Sequence, residues 1–364
     1  MKRIALIGGG TGGHIYPLIA VYEELRGTEC RYFGPSGPWA ECMERSGIPV
    51  SSIAGAKLRR YFSVSNLIDG PKFIWSVFQA LVKVAAFAPD AAFSKGGTGS
   101  LPVLIACAMW GVPVIIHESD SVPSATGKIA GRWARIIELG WSSATRAFPG
   151  KEMHVVGVPL RRDIRAGIGK DREDAKRELG LDPAKPMVLV IGGSQGSDRV
   201  NNLILGELPR LLGKYQVVHQ IGPVTYADYM KRYGTAKRDI PEPLHADYWP
   251  YEYMEEEMPL AYAAADCVIS RAGSAIFEIA AYGKPAVLIP LPEAANGHQQ
   301  KNAEQYPAAI VMRESDTDKG LVKAVSSILD SPERKKAMEE KAKAFAKPDA
   351  AKMVAADIMK IAEQ

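Results

Sequence analysis

Two glycine-rich runs follow short apolar runs directly, one in each half of the chain. Gly8-Gly9-Gly10-Thr11-Gly12-Gly13-His14 succeeds Ile4–Ile7, and Gly192-Gly193-Ser194-Gln195-Gly196-Ser197 succeeds Val188–Ile191. Glycine lets the backbone take positive φ or approach a ligand closely. A helix opening after such a turn offers unbonded N–H groups and a partial positive charge, which together suit a phosphate or diphosphate. In the first run Thr11, Gly12 and Gly13 are the candidate anchors. His14 stands where an imidazole can take a proton from a substrate hydroxyl; contact with phosphate or acceptor, and a helix-capping role, are the open alternatives. In the second run the Ser194 hydroxyl and the amides around Gln195 can hold a diphosphate, or the run is a plain tight turn. It lacks the Lys of a P-loop, which disfavours ATP hydrolysis. Dinucleotide binding is also disfavoured, because Cys30–Phe33 leads into Gly34-Pro35-Ser36 with no acidic residue.

Further clusters repeat the logic. Ser94-Lys95-Gly96-Gly97-Thr98-Gly99-Ser100 precedes a helical pattern in the first half, and Ser270-Arg271-Ala272-Gly273-Ser274 precedes one in the second. The latter places Glu278 in early turns, where a carboxylate can accept both ribose hydroxyls or simply complement the helix dipole. Gln299 and Gln300, within Pro290–Asn302, suit sugar hydroxyls, which donate and accept; a solvated helix start is the alternative. His117-Glu118-Ser119-Asp120 closes an apolar run, so its polar groups are expected at a strand end. Neighbours in a strand point to opposite faces, so His117 and Glu118 do not share an ion. Asp316-Thr317-Asp318 is the only D-x-D and reads as an N-cap. No divalent cation site is expected.

These loops need strands to aim them. Apolar runs predict strands at 3–7, 30–33, 91–94, 114–117, 135–139 and 154–156, then at 187–191, 216–220, 267–270, 286–289 and 309–312. Helical patterns separate most of them, which implies α/β architecture with parallel sheets covered on both faces. The two halves start alike, so two Rossmann-like domains are expected, 1–160 and 161–345. The boundary falls near Gly157–Arg161. The segment 346–364 reads as an amphipathic helix anchored by Met353, Ile358 and Ile361 and packing back on the first domain.

Composition narrows the class. A chain of 364 residues, 47% hydrophobic and 24% charged, is ordinary for two globular domains. Net charge +4 permits an anionic partner without demanding one, and no dense basic run points to nucleic acid. The cysteines, Cys30, Cys42, Cys107 and Cys267, form no C-x-x-C pair and read as small hydrophobes of a reducing compartment. The apolar N-terminal run is too short for a signal peptide. The longest apolar stretch, Leu101–Ile116, is interrupted by Pro102, Gly111 and Pro113, whereas a membrane helix needs about 20 apolar residues. A chain that stays inside the cell is expected. Arg59–Phe87 mixes Arg59, Arg60, Lys72 and Lys83 with Tyr61, Phe62, Ile74, Trp75, Phe78, Leu81 and Val82. That is either an interfacial patch, led by Ile74, Trp75, Phe78 and Leu81, or a core helix with a solvated face.

In order and spacing these motifs resemble glycosyltransferase family 28, specifically its N-acetylglucosaminyltransferases of peptidoglycan synthesis. The resemblance spans almost the whole chain. It rests on Gly9–His14 with Pro17, Phe93–Gly97, His117–Asp120, Gly192–Gly196, Ser270–Gly273, Phe277-Glu278-Ile279 and His298–Asn302. It implies a GT-B fold, two Rossmann-like domains facing across a cleft, and inverting, metal-independent transfer with no cofactor. The donor implied is UDP-N-acetylglucosamine, held by Thr11, Gly12, Gly13, Arg161, Ser194, Gln195, Gly273, Ser274, Glu278, Gln299 and Gln300, with Tyr253-Met254-Glu255 bordering the uracil. The acceptor implied is undecaprenyl-diphosphate muramoyl-peptide (lipid I), met by Gly96, Gly97, Thr98, His117, Glu118 and Asp120, with His14 as base. The implied location is cytoplasmic, on the anionic inner face of the bacterial cell membrane. The chain departs from the family's pattern at Thr98-Gly99, at Val158 and in the spacing from Gly273 to Glu278. A transferase acting on diacylglycerol, a UDP-sugar epimerase and a non-catalytic nucleotide-sugar sensor are the competing readings.

Overall fold

The computed structural model describes residues 1–54, 66–97, 99–292, 297–313 and 320–364. The expectations placed on Arg59 to Phe62, Thr98, Glu293 to Asn296 and Asp316 to Asp318 lie outside the described residues. The chain divides into two compact units, Met1–Arg162 with Pro348–Gln364, and Asp163–Lys347.

The first unit carries β1 (Lys2–Gly8), β2 (Thr28–Gly34), β3 (Val50–Ser52), β4 (Ala91–Gly96), β5 (Val114–Glu118), β6 (Ile136–Leu139) and β7 (Glu152–Val155). They lie in the order β3-β2-β1-β4-β5-β6-β7, every neighbouring pair parallel. Ile4, Ala5, Leu6 and Ile7 of β1 are all 0% exposed, as a parallel strand covered on both faces requires. One face packs on the helix Gly12–Tyr22 and on the C-terminal helix Ala350–Ala362, through Ala350, Val354, Ile358 and Ile361. The other packs under the helices Asn66–Phe87 and Ser100–Met109, through Ala80, Val84, Val103 and Cys107. Met353, expected as an anchor of the last helix, is 46% exposed. Val354, one residue on, takes the inward position, because Val354, Ile358 and Ile361 keep the i, i+4, i+7 spacing of one face.

The second unit carries β8 (Met187–Ile191), β9 (Gln216–Gln220), β10 (Tyr248–Tyr251), β11 (Cys267–Ser270), β12 (Ala286–Leu288) and β13 (Ala309–Val311). Their order is β10-β9-β8-β11-β12-β13, again all parallel. Both sheets therefore reverse direction of winding at one place, between β1 and β4 and between β8 and β11. Open parallel sheets bind ligands outside the carboxyl ends of the strands at such a switch point. The four glycine-bearing loops of the sequence leave those four strands.

Candidate active site

In the first unit, β1 runs out at Gly8 and the helix Gly12–Tyr22 begins three residues beyond Gly9. Thr11 occupies the N-cap in extended conformation, φ −153°, yet its side chain does not cap the helix. Its hydroxyl lies 3.1 Å from His14 Nδ1 instead. Burial of the imidazole, and then the Lys95 ammonium, lower the His14 pKa to about 4. The ring is thus neutral at pH 7. The loop after β4 closes against the loop after β1. Gly97 has φ +92°, and a Cβ there would stand 2.0 Å from Gly9 O and 3.1 Å from His14 Nδ1. A side chain at 97 would collide with the Gly9 carbonyl and crowd the histidine.

Lys95 is 3% exposed and its Nζ donates to Ser119 Oγ. Burial brings its pKa down to about 8, against the pull of Glu118 and Asp120. His117 is also buried and its Nε2 donates to Gly157 O at 2.7 Å, so that nitrogen serves to hold the chain leaving β7. Glu118 Oε2 accepts from Ser124 N at 3.0 Å and Ser124 Oγ at 3.1 Å, bracing the start of the helix Ala125–Ala130. Burial, then Asp120, raise the Glu118 pKa. Of the residues expected on the acceptor side, Gly96, Gly97, His117, Glu118 and Asp120 lie at or just beyond the ends of β4 and β5. Lys95, to which the sequence reading gave no role, lies among them. A lysine in an otherwise apolar strand end was the available signal.

In the second unit, Gly196 N donates to Gly193 O at 3.0 Å, closing the turn after β8. The turn has glycines at φ +101° (Gly193) and +86° (Gly196). A Cβ on Gly196 would stand 2.1 Å from Ile221 O, so the turn seats directly on the end of β9. Ser194 is half-buried and Gln195 exposed, ahead of the helix Asp198–Leu212, whose N-cap Ser197 makes no side-chain cap bond. Gln220, at the end of β9, was missed by the sequence reading. Its Nε2 donates to Gly193 O at 3.4 Å and its Oε1 accepts from Met254 N at 3.0 Å. One buried amide therefore ties the glycine turn to the Tyr253-Met254-Glu255 segment.

The loop after β11 leads through Gly273 and Ser274 into the helix Ala275–Ala281. Glu278 is half-buried, and its Oε2 accepts from Tyr262 Oη at 2.7 Å. Arg271 is partly desolvated, which lowers its pKa, and its buried Nε has no hydrogen-bond partner among the described residues. The helix His298–Gln305 approaches the same loop, because Asn302 Nδ2 donates to Ala272 O at 3.1 Å. Gln299 is buried and its Oε1 accepts from Leu291 N at 3.0 Å, while Gln300 Nε2 donates to Glu304 Oε1 at 2.8 Å. Ser194, Gln195, Gly273, Ser274, Glu278, Gln299 and Gln300 thus occupy loops and helix starts at the ends of β8, β11 and β12. Thr11, Gly12, Gly13 and Arg161 belong to the first unit, where the Arg161 guanidinium lies 4.5 Å from the centroid of the Tyr16 ring, two residues on from His14.

On the helix Asn66–Phe87, Ile74, Trp75 and Phe78 are 71%, 55% and 54% exposed, with Trp75 and Phe78 stacked at 5.6 Å. Leu81 corrects the expected patch: it is half-buried and packs on the core, on the side of Ala80 and Val84. Helical periodicity gives Val82 the outward position, and Met109 and Trp110 are exposed as well. Trp110 Nε1 donates to Leu81 O at 3.0 Å, joining its indole to the helix that bears the patch. No helix among the described residues is long and apolar enough to cross a membrane.

Residues 4–137 match the model of the glycosyltransferase family 28 N-terminal domain and residues 187–354 that of its C-terminal domain. A Bacillus cereus (strain ATCC 10987 / NRS 248) protein is 37% identical over 339 residues, 90% of this chain and 92% of its own length. The chain belongs to glycosyltransferase family 28. That B. cereus protein is named UDP-N-acetylglucosamine–N-acetylmuramyl-(pentapeptide) pyrophosphoryl-undecaprenol N-acetylglucosamine transferase 2. A Clostridium botulinum (strain Loch Maree / Type A3) protein named for the same transfer is 34% identical over 91% of this chain and 92% of its own. The crystal structure of Acinetobacter baumannii MurG superposes with a TM-score of 0.76 at 26% identity, covering 99% of this chain and all of that one. The fold is accordingly GT-B, and the protein is a glycosyltransferase. The UDP-GlcNAc 2-epimerase of Neisseria meningitidis, with a TM-score of 0.68 at 12% identity over 99% of this chain and all of that one, shares the fold alone.

Proposed function

We propose that this glycosyltransferase moves N-acetylglucosamine from UDP-N-acetylglucosamine to lipid I, giving lipid II with inversion at the anomeric carbon. The observation that carries the reading is likeness over nine-tenths of the chain to relatives named for that one transfer. His14 supplies the mechanism. Neutral at pH 7 and held by Thr11, it takes the proton from the attacking muramoyl hydroxyl as the new glycosidic bond forms. The bond between the sugar and UDP breaks, and the departing diphosphate gathers negative charge. The turn Gly192–Gly196, the loop Arg271–Ser274 and the Ser194 hydroxyl stabilise that charge through amides already fixed in place. Glu278 holds the ribose, and Gln299 and Gln300 meet the sugar. Gly96, Gly97, Glu118 and Asp120 serve the acceptor.

The exposed patch of Ile74, Trp75, Phe78 and Val82 rests on the anionic inner face of the cell membrane, where the acceptor lipid resides. Nucleic acid has no part in this reading, and no metal ion or cofactor enters the transfer.

The deciding experiment supplies the protein with labelled UDP-N-acetylglucosamine, excess chelator and either a lipid I analogue or diacylglycerol. Label is expected on the lipid I analogue alone. Transfer to diacylglycerol, epimerisation of the donor without an acceptor, or dependence on an added cation would each replace the proposed reaction.

A further inference from the structure

Glu138 lies in the middle of β6 and is 0% exposed. Its register partner on β7 is His154, so the two side chains leave the same face of the sheet. That face is the one under the C-terminal helix, since Ile136 and Val156 pack with Ile358 and Ile361. Asp357 projects from that helix, and its Oδ2 lies 2.7 Å from His154 Nδ1. Glu138 Oε1 lies 3.6 Å from the same nitrogen. Both Glu138 oxygens are buried, and what faces them is the Asp357 carboxyl and the His154 ring, with no bond of good geometry to an N–H donor among the described residues. The cluster therefore contains two carboxylates and one ring nitrogen between them, and that nitrogen is already engaged by Asp357. Burying a carboxylate in this state is costly unless a cation or a proton meets it.

We propose that Glu138, His154 and Asp357 are the protein ligands of one first-row divalent cation, of the Zn²⁺ class, which fastens the C-terminal helix to β6 and β7. The three donor atoms all lie within 4.8 Å of one another. Tetrahedral bonds of about 2.0–2.1 Å place ligand atoms about 3.3 Å apart, between the 2.7 Å and 3.6 Å found here. One imidazole with two carboxylates is a donor set for such ions, and a solvent molecule completes it. The His154 and Asp357 side chains are 35% and 18% exposed, which leaves the ion a way in from solvent. The inference does not depend on the proposed reaction, because none of these residues belongs to the loops assigned to it.

The test uses the full chain stripped with EDTA and titrated with Zn²⁺, followed by calorimetry and by thermal unfolding. One Zn²⁺ per chain is expected, with Tm rising by about 4 °C or more. Asp357→Asn and His154→Gln each weaken binding by roughly tenfold or more and remove the Tm shift, with unchanged circular dichroism. Co²⁺ in place of Zn²⁺ gives visible d–d bands that both variants lose. Absence of saturable one-to-one binding overturns the proposal. So does wild-type affinity in both variants, which would mean an adventitious surface site. So does a Tm that follows pH but not metal, which would mean that a proton meets the buried carboxylate.

Discussion

The hydroxyl of Thr11 lies 3.1 Å from Nδ1 of His14, across the first turn of the helix that β1 feeds. Thr11 is the N-cap residue, but its side chain serves the imidazole and not the helix amides. If Nδ1–H donates to that hydroxyl, the free lone pair sits on Nε2, ready to accept a proton. His14→Ala is therefore expected to lower kcat by roughly 100-fold or more while leaving UDP affinity within about twofold. Thr11→Val keeps the base but loosens its orientation, and should fall between the two. Stopped assays and UDP titration read both quantities. Full turnover in His14→Ala would take the base role away from this residue.

The pH profile tests the same group differently. Burial first, then Lys95, bring His14 down to about 4. Transfer needs the neutral ring, so activity is held above that value and lost only as pH falls through it. The acid limb of kcat/KM due to this residue should lie near 4 and not near the ordinary 6.5. Lys95→Met removes a positive neighbour and should move the limb upward, though short of 6.5, because burial is the larger cause. A wild-type limb at 6.5 would show that the ring is solvated during turnover.

Glu278 separates two meanings of a carboxylate at a helix start. Its Oε2 accepts from Tyr262 Oη at 2.7 Å, so the group has a fixed direction. If it holds the ribose, Glu278→Gln should raise KM for UDP-N-acetylglucosamine about tenfold or more with kcat little changed, the size of one charge-assisted hydrogen bond. With a 2′-deoxyribose donor the same substitution should cost less. An equal penalty on both donors would assign Glu278 to the helix dipole instead.

Much of this arrangement was legible in the sequence because glycine turns after apolar runs are local signals. The turns at Gly8–Gly13 and Gly192–Gly196 and the eleven runs around them already specify two parallel sheets. The strands without a counterpart in that reading are β3 and β10. Each is the outermost strand on the same side of its sheet. β3 is the short, mostly polar Val50-Ser51-Ser52, and β10 is an aromatic run, Tyr248-Trp249-Pro250-Tyr251, broken by a proline that argues against a strand. A parallel edge strand needs only one neighbour, so it can be short or carry a proline. The site was harder to read where tertiary contact decides. Nothing local says that Gln220 ties Gly193 to Met254, or that Glu138, His154 and Asp357 meet, since they come from two strands and a helix at the far end of the chain. Leu81 and Val82 differed only by the phase of a helix.

That phase sets up the membrane prediction. Trp75 and Phe78 are more than half exposed and stacked on one another, whereas Leu81 faces the core. Trp75→Asp with Phe78→Asp should reduce binding to phosphatidylglycerol-containing vesicles by about tenfold or more, because it replaces apolar contact by charge repulsion. Exposed positions contribute little to folding, so Tm should hold and a soluble acceptor analogue should still be used. Leu81→Asp should instead lower Tm. Flotation with vesicles and a thermal melt distinguish the three, and unchanged flotation by the double variant would discard the patch.

His219 lies beneath the second unit's glycine turn and makes that unit sensitive to acid. The residue is 0% exposed, with Nε2 at 3.1 Å from Asn201 Oδ1 and Nδ1 at 2.9 Å from Tyr248 Oη. Asn201 Nδ2 donates to Ile221 O and Thr225 Oγ1, which leaves Oδ1 as acceptor. Nε2 must then carry the proton, and Nδ1 accepts from Tyr248. A second proton would place a charge in a fully buried site and cost the bond that Nδ1 accepts, and burial brings the pKa down to about 3. Between that value and the ordinary 6.5 the unfolded chain binds a proton that the folded one refuses, so stability falls as pH drops through this window. From pH 8 to pH 5 the loss due to this residue is about 2 kcal/mol. Urea unfolding at the two pH values, for the wild type and His219→Gln, measures it. The substitution lowers stability at pH 8 by disturbing the network, yet it must flatten the pH dependence by about that amount. An unaltered slope would mean that His219 is protonated in the folded protein and that the tautomer deduced from Asn201 is wrong.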